Sequence, residues 1–298
     1  MKLKTAALAL LLLATPAGAA TIDELQSAYD AGNFAQALPE AQALAAKGDV
    51  KAMTLLGLMY RKGQGTAADT DTAIIWLSRA AEKKDARAQL ALGMIYLDQN
   101  DGRYDYAKGE ANLRAAAEQG LPDAQFNMGL IAAGSFGNPP DFVNAADWFK
   151  KAADQGNVSA EYNLGVLYLE GQGVPKDALR AAALIGQAAE KGNPDAMLDY
   201  GVLVFRGEGV QQNEKIGAQW LILSAKRGNV VAQNRAARLY AFGKGVPADP
   251  VEALTWNILA TKGGRGDAEL DSILAKLTDE QKAQAQAKAD AFKPLEGK

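Results

Sequence analysis

The chain has no cysteine and no histidine in its 298 residues. Without cysteine, no disulfide can brace the fold and no thiolate can act as nucleophile or metal ligand. The fold must be held by packing alone. Without histidine, the Ser-His-Asp arrangement, imidazole base chemistry and nearly every zinc site are closed. Most common hydrolase mechanisms go with them. No run beyond the first twenty residues is long or apolar enough to cross a bilayer. A surplus of positive charge is also missing. The net charge is −3, which argues against nucleic acid, whose binding rests on a basic face.

The first residues, "MKLKTAALALLLLATPAGAA", set a compartment. Lys2 and Lys4 form a positive start, and Ala6 to Ala14 give an apolar stretch too short to span a membrane. Ala17, Gly18 and Ala19 then offer the small residues of a cleavage site. The expectation is a signal peptide over 1–19, and a periplasmic or secreted product without a membrane anchor. Removing Lys2 and Lys4 moves the net charge from −3 to −5.

What is abundant is repetition. In blocks of 36 the chain falls into register six times without a gap, from Asp49, Asp85, Leu121, Asn157, Asn193 and Asn229. The fourth column is always alanine, from Ala52 to Ala232. The ninth is Gly57, Gly93, Gly129, Gly165 and Gly201, with Ala237 in the last block. A glycine inside a helix costs about 1 kcal/mol in propensity. Its recurrence implies that a neighbouring helix fills the space a side chain would need. All four tryptophans, Trp76, Trp148, Trp220 and Trp256, share one column of the second half-block, where they read as packing residues. Each block is therefore a helical hairpin, and neighbours stack as a solenoid.

The pattern of alanine, leucine-glycine, tyrosine, G-x-G-V, tryptophan and alanine-alanine resembles the Sel1-like repeat family, a relative of the tetratricopeptide repeats. The resemblance covers residues 49–264 and implies an all-α, right-handed solenoid of stacked two-helix hairpins. "LDQNDGRYDYAKG" and "AGSFGNPPDFVNA" depart from its usual inter-helix loop, and Asn112 replaces the tryptophan of the second block. Residues 20–48 read as a divergent tetratricopeptide-like capping hairpin. Residues 265–298 read as capping helices, the last starting near Asp279 with a face polar enough for water.

"NLGVLYLEGQGV", residues 163–174, has the punctuation of a phosphate loop. Such loops lead from a strand to a helix N-terminus. Here Gly171 follows a helical pattern, so the loop lies at a helix C-terminus, whose dipole repels an anion. Glycine there is the expected left-handed stop, and the stretch reads as a hinge. "DQNDGRYD", residues 98–105, has its glycine at the fifth place and Gly109 at the twelfth, which is wrong for a calcium hand. No serine begins an S-x-x-K signature. Catalytic, metal and cofactor residues are therefore read as none.

The remaining candidate is a surface. By analogy with tetratricopeptide repeats, block positions 3, 6, 10, 13 and 14 face an inner groove. Positions 6, 10 and 13 follow one helix face. They collect Leu90, Met94, Leu97, Phe126, Leu130, Tyr162, Val166, Leu169, Leu198, Val202 and Phe205. Arg61 marks one end, with Asn234 and Arg238 at the other, and Lys51, Arg87, Asp123, Asp195 and Arg206 form a rim. Two readings stay open. Either tight winding buries these groups against the next hairpin, or they form a trough for a peptide or helix anchored on Phe126, Tyr162 and Phe205. The resemblance implies an adaptor or regulator in envelope signalling, envelope assembly or polysaccharide export. The alternative is a protein that acts on carbohydrate or peptidoglycan through groove carboxylates.

Overall fold

The computed structural model describes residues 21–295, so the expected signal peptide lies outside the described residues. Sixteen helices and no strand occur among them. The first helices of the six blocks are α3 (Val50–Lys62), α5 (Ala86–Tyr96), α7 (Pro122–Ala132), α9 (Val158–Glu170), α11 (Pro194–Arg206) and α13 (Val230–Phe242). Their partners are α4 (Thr70–Glu82), α6 (Tyr106–Glu118), α8 (Phe142–Ala153), α10 (Ala178–Glu190), α12 (Glu214–Lys226) and α14 (Pro250–Lys262). Helices α1 (Ile22–Asp30) and α2 (Phe34–Ala46) precede them, and α15 (Ala268–Leu274) and α16 (Asp279–Ala291) follow. The class is an all-α solenoid of tandem hairpins.

The described residues form two compact units, 21–116 and 117–295. In the first, α2 packs on α3, α3 on α4 and α4 on α5, around Leu25, Leu56, Leu77 and Ile95. In the second, each helix from α7 to α14 packs on the next, and α14 also packs on α16.

Local sequence explains the helix boundaries. Asp49, Asp85, Asn157, Asn193 and Asn229 each accept the N–H three residues on, into the conserved alanine column of the repeat. Such a cap is worth about 1 kcal/mol. Two of these asparagines also reach back one hairpin: Asn157 Nδ2 donates to Asp123 at 3.0 Å and Asn229 Nδ2 to Asp195 at 2.8 Å. Helices α3, α9, α11 and α13 end at Gly63, Gly171, Gly207 and Gly243, all left-handed. In "GQG", Gly173 follows at φ +68°, and a Cβ there would collide with the carbonyl of Phe142 at the start of α8. The glycine pair is thus a joint that lets the loop lie on the preceding hairpin.

The glycine column works by contact. A Cβ on Gly57 would lie 2.6 Å from Leu77 Cγ, and one on Gly165 would lie 2.7 Å from Ile185 Cγ1. Leu77 and Ile185 are fully buried, which contributes about 1.5–3 kcal/mol each. The aliphatic side chain of the second helix occupies the room that glycine leaves on the first.

The two divergent loops shorten their helices. Helices α5 and α7 have 11 residues where α3 has 13, and they end at Leu97 and Ala133 without a left-handed glycine. The acidic loop after α5 is organised by Arg103, which binds both Asp71 and Asp101 at 2.8 Å. Among the described residues no group of three or more metal-ligating side chains converges there or elsewhere.

Candidate partner-binding site

The thirteen residues expected to form the groove differ in how far the structure exposes them. Leu97 is corrected outright: it is 4% exposed, and its side chain packs into the space above Gly109 of α6. Phe205 occupies the same block position and its Cβ presses on Gly217 of α12. A large group at this position turns toward its own hairpin wherever the facing residue is glycine. Leu90, Phe126, Leu130, Tyr162, Val166, Leu169, Leu198, Val202 and Arg61 are half-buried. Phe126 lies 5.9 Å from the Phe149 ring, and Tyr162 donates to Asp199 at 2.9 Å. Met94 is the one apolar member with a large exposed fraction, 43%.

Rim residues are also in use. Asp123 and Asp195 accept the inter-hairpin bonds from Asn157 and Asn229. Burial raises the Asp199 carboxyl above its ordinary range, with Asp195 and Glu170 adding to the rise and Tyr162 and Arg235 opposing it. The same burial, with Asp199 beside it, raises the Tyr162 phenol.

At one place the expected residues do converge. Val202 and Phe205 of α11 meet Leu221 of α12 and Leu239 and Phe242 of α13 around an open cavity of about 250 Å³. Arg206, Arg235, Arg238 and Lys244 surround this apolar floor. Phe242 is 45% exposed beside this floor. The buried Nε of Arg235 donates to no acceptor. Arg238 is held at the edge by Asp267, at 2.7 and 3.1 Å, and by Glu269 at 2.8 Å. Asp267 is therefore kept below the usual carboxylate range, first by Arg238 and further by the Leu270 N–H and Asn234.

The structure adds Arg235, Phe242 and Lys244 to the expected set. Phe242 sits at block position 14 of an outer block, whose expected groove residues, Asn234 and Arg238, are polar. Arg235, at position 7, lies outside the expected groove positions.

Comparison with known proteins agrees with this architecture. The Sel1 repeat family model matches residues 50–85, 86–121, 122–157, 158–193, 194–229 and 230–264. The chain belongs to the Sel1 repeat family. A Sel1 repeat protein from Oxalobacter formigenes is similar over 82% of this chain and all of its own, with 32% identity and a TM-score of 0.74. A protective antigen of uropathogenic Escherichia coli strains, displaying an SLR fold, is similar over 90% of this chain, with 28% identity and a TM-score of 0.83. This chain spans 59% of that protein's length. No curated protein shows significant similarity. Sel1 repeat proteins typically mediate protein–protein interactions, and the scaffold is generally non-catalytic. Among the described residues no helix is long and apolar enough to cross a membrane.

Proposed function

We propose that this Sel1 repeat chain is an exported, periplasmic adaptor that captures an acidic protein segment through one bulky apolar side chain. The cavity between α11 and α13 carries the reading, because an apolar floor and a cationic rim call for those two properties together. The side chain displaces water from Phe205 and Phe242, while Arg206, Arg235 and Lys244 attract and orient the acidic flanks. The leader "MKLKTAALALLLLATPAGAA" supports the compartment, and an adaptor of this kind suits envelope signalling, envelope assembly or polysaccharide export. Recognition needs no covalent chemistry and no cofactor.

A photo-crosslinking amino acid in place of Phe242, introduced in cells, tests this reading. The expected result is one dominant crosslinked acidic protein, lost when Arg206→Glu and Lys244→Glu are combined and weakened by salt. A crosslink that survives both charge reversals rejects it.

A further inference from the structure

Two other cavities lie on the second-helix side, one in each unit, and they are the same place in the repeat. The cavity in the second hairpin, about 340 Å³, is lined by Glu82, Gln89, Leu92, Tyr96, Lys108 and Asn112 among others. The cavity in the fourth, about 300 Å³, is lined by Asp154, Glu161, Leu164, Tyr168, Arg180 and Leu184 among others. Each residue of the first set has its counterpart 72 positions later, two blocks on, in the second set. Asn112 and Leu184 stand in the tryptophan column, and they are the two blocks without tryptophan. In the fifth hairpin the corresponding space holds this chain's own rings: Trp220 meets Tyr200 edge-on at 5.6 Å, and Tyr200 packs over Gly186.

The fourth hairpin carries a second departure. In the second, third and sixth hairpins block position 5 is glutamine, and Gln89, Gln125 and Gln233 direct their amides to the carbonyls of Ala81, Ala117 and Ala225. Here the residue is Glu161, with its side chain 5% exposed. Lys191 takes one carboxylate oxygen, and the other, Oε2, is buried with no hydrogen-bond partner. The equivalent carbonyl, Ala153 O, is an acceptor like the carboxylate and has no proton to give it. The cavity of about 300 Å³ thus has in its lining a residue whose buried carboxylate oxygen lacks a donor.

We propose that the fourth hairpin is an open tryptophan socket. It receives the indole of a tryptophan displayed by a partner protein. The ring lies against Leu164, Leu184 and Tyr168 where Trp220 lies in the next hairpin, and its N–H donates to Glu161 Oε2. The site is separate from the cavity between α11 and α13, and its test does not depend on that reading.

The probe is N-acetyl-L-tryptophanamide, titrated into the purified chain while the methyl signals of Leu164 and Leu184 are followed by NMR. The expected result is saturable shifts at both. Binding should weaken about tenfold for the 1-methylindole analogue and for Glu161→Gln, as loss of one charge-assisted hydrogen bond predicts. Leu184→Trp, which gives this hairpin the tryptophan of its neighbours, should abolish the shift of the remaining reporter, Leu164, with the helical circular dichroism intact. No saturable shift, equal binding of the methylated analogue, or binding that persists in a folded Leu184→Trp would each overturn the assignment. Should Leu184→Trp unfold, the analogue and Glu161→Gln still decide.

Discussion

Tyr162 of α9 donates its hydroxyl proton to Asp199 Oδ2 of α11 at 2.9 Å, so a ring expected to anchor a partner instead ties two hairpins together. The bond satisfies a carboxyl that burial makes reluctant to ionise, with Asp195 and Glu170 nearby and Arg235 as its cationic counterweight. The native state therefore holds the Asp199 proton more tightly than the unfolded chain, whose carboxyl titrates near 3.9. Stability from this group is greatest below that value and falls as pH rises through the folded pKa. Asp199→Asn keeps an acceptor for Tyr162 and removes the ionisation penalty. Its melting temperature should exceed that of wild type at neutral pH, with the gap closing below about pH 4. Thermal scans from pH 3 to 8 check this, and a gap that widens in acid contradicts it.

Asp267 titrates with the opposite sign. Arg238 and the Leu270 N–H hold its carboxyl down, so its contribution is present above the unfolded value and is lost as pH falls through the folded one. Asp267→Asn should lower stability at neutral pH by about 1 kcal/mol, a modest figure because Arg238 is 44% exposed. The variant and wild type should converge in acid. Urea denaturation at pH 7 and pH 3 measures both points.

Gly165→Ala sets helix propensity against packing. Alanine gains about 1 kcal/mol in the helix, yet its Cβ would lie 2.7 Å from Ile185 Cγ1 and 3.3 Å from the Ala181 carbonyl. Overpacking of that kind costs about 1–3 kcal/mol, so the net effect should be destabilising by about 1 kcal/mol. The double variant with Ile185→Ala should lose less than the two single changes summed. Additive losses would mean that the contact is not what excludes a side chain.

The hairpins were readable because packing repeats. Glycine at position 9 faces the side chain twenty residues on in five blocks, and alanine at position 4 is fully buried in all six, so those columns record contacts directly. The surface was less readable because side-chain direction depends on the facing residue. Leu97 turns inward over Gly109, and position 13 alone does not reveal that. Phe242 was hidden by the polar character of its own block, and Glu161 stands out only beside the glutamines of equivalent hairpins. The expected rim carboxylates Asp123 and Asp195 face asparagine caps one block later, a relation between blocks that reading within one block does not expose.

Asn229 tests that relation. Its Oδ1 accepts the Ala232 N–H at 2.9 Å while its Nδ2 donates to Asp195 at 2.8 Å. Aspartate caps a helix as well as asparagine, so Asn229→Asp preserves the first bond and destroys the second. It also sets two carboxylates against each other across the α11–α13 step. Asn229→Ser keeps a cap and simply drops the link to Asp195. If the inter-hairpin bond contributes, Asn229→Ser should be less stable than wild type at neutral pH by about 1 kcal/mol, and Asn229→Asp less stable again. The order should narrow or reverse as acid protonates one member of the new pair. Wild-type stability of Asn229→Ser at pH 7 would show that asparagine serves only its own helix, leaving apolar packing to join α11 and α13.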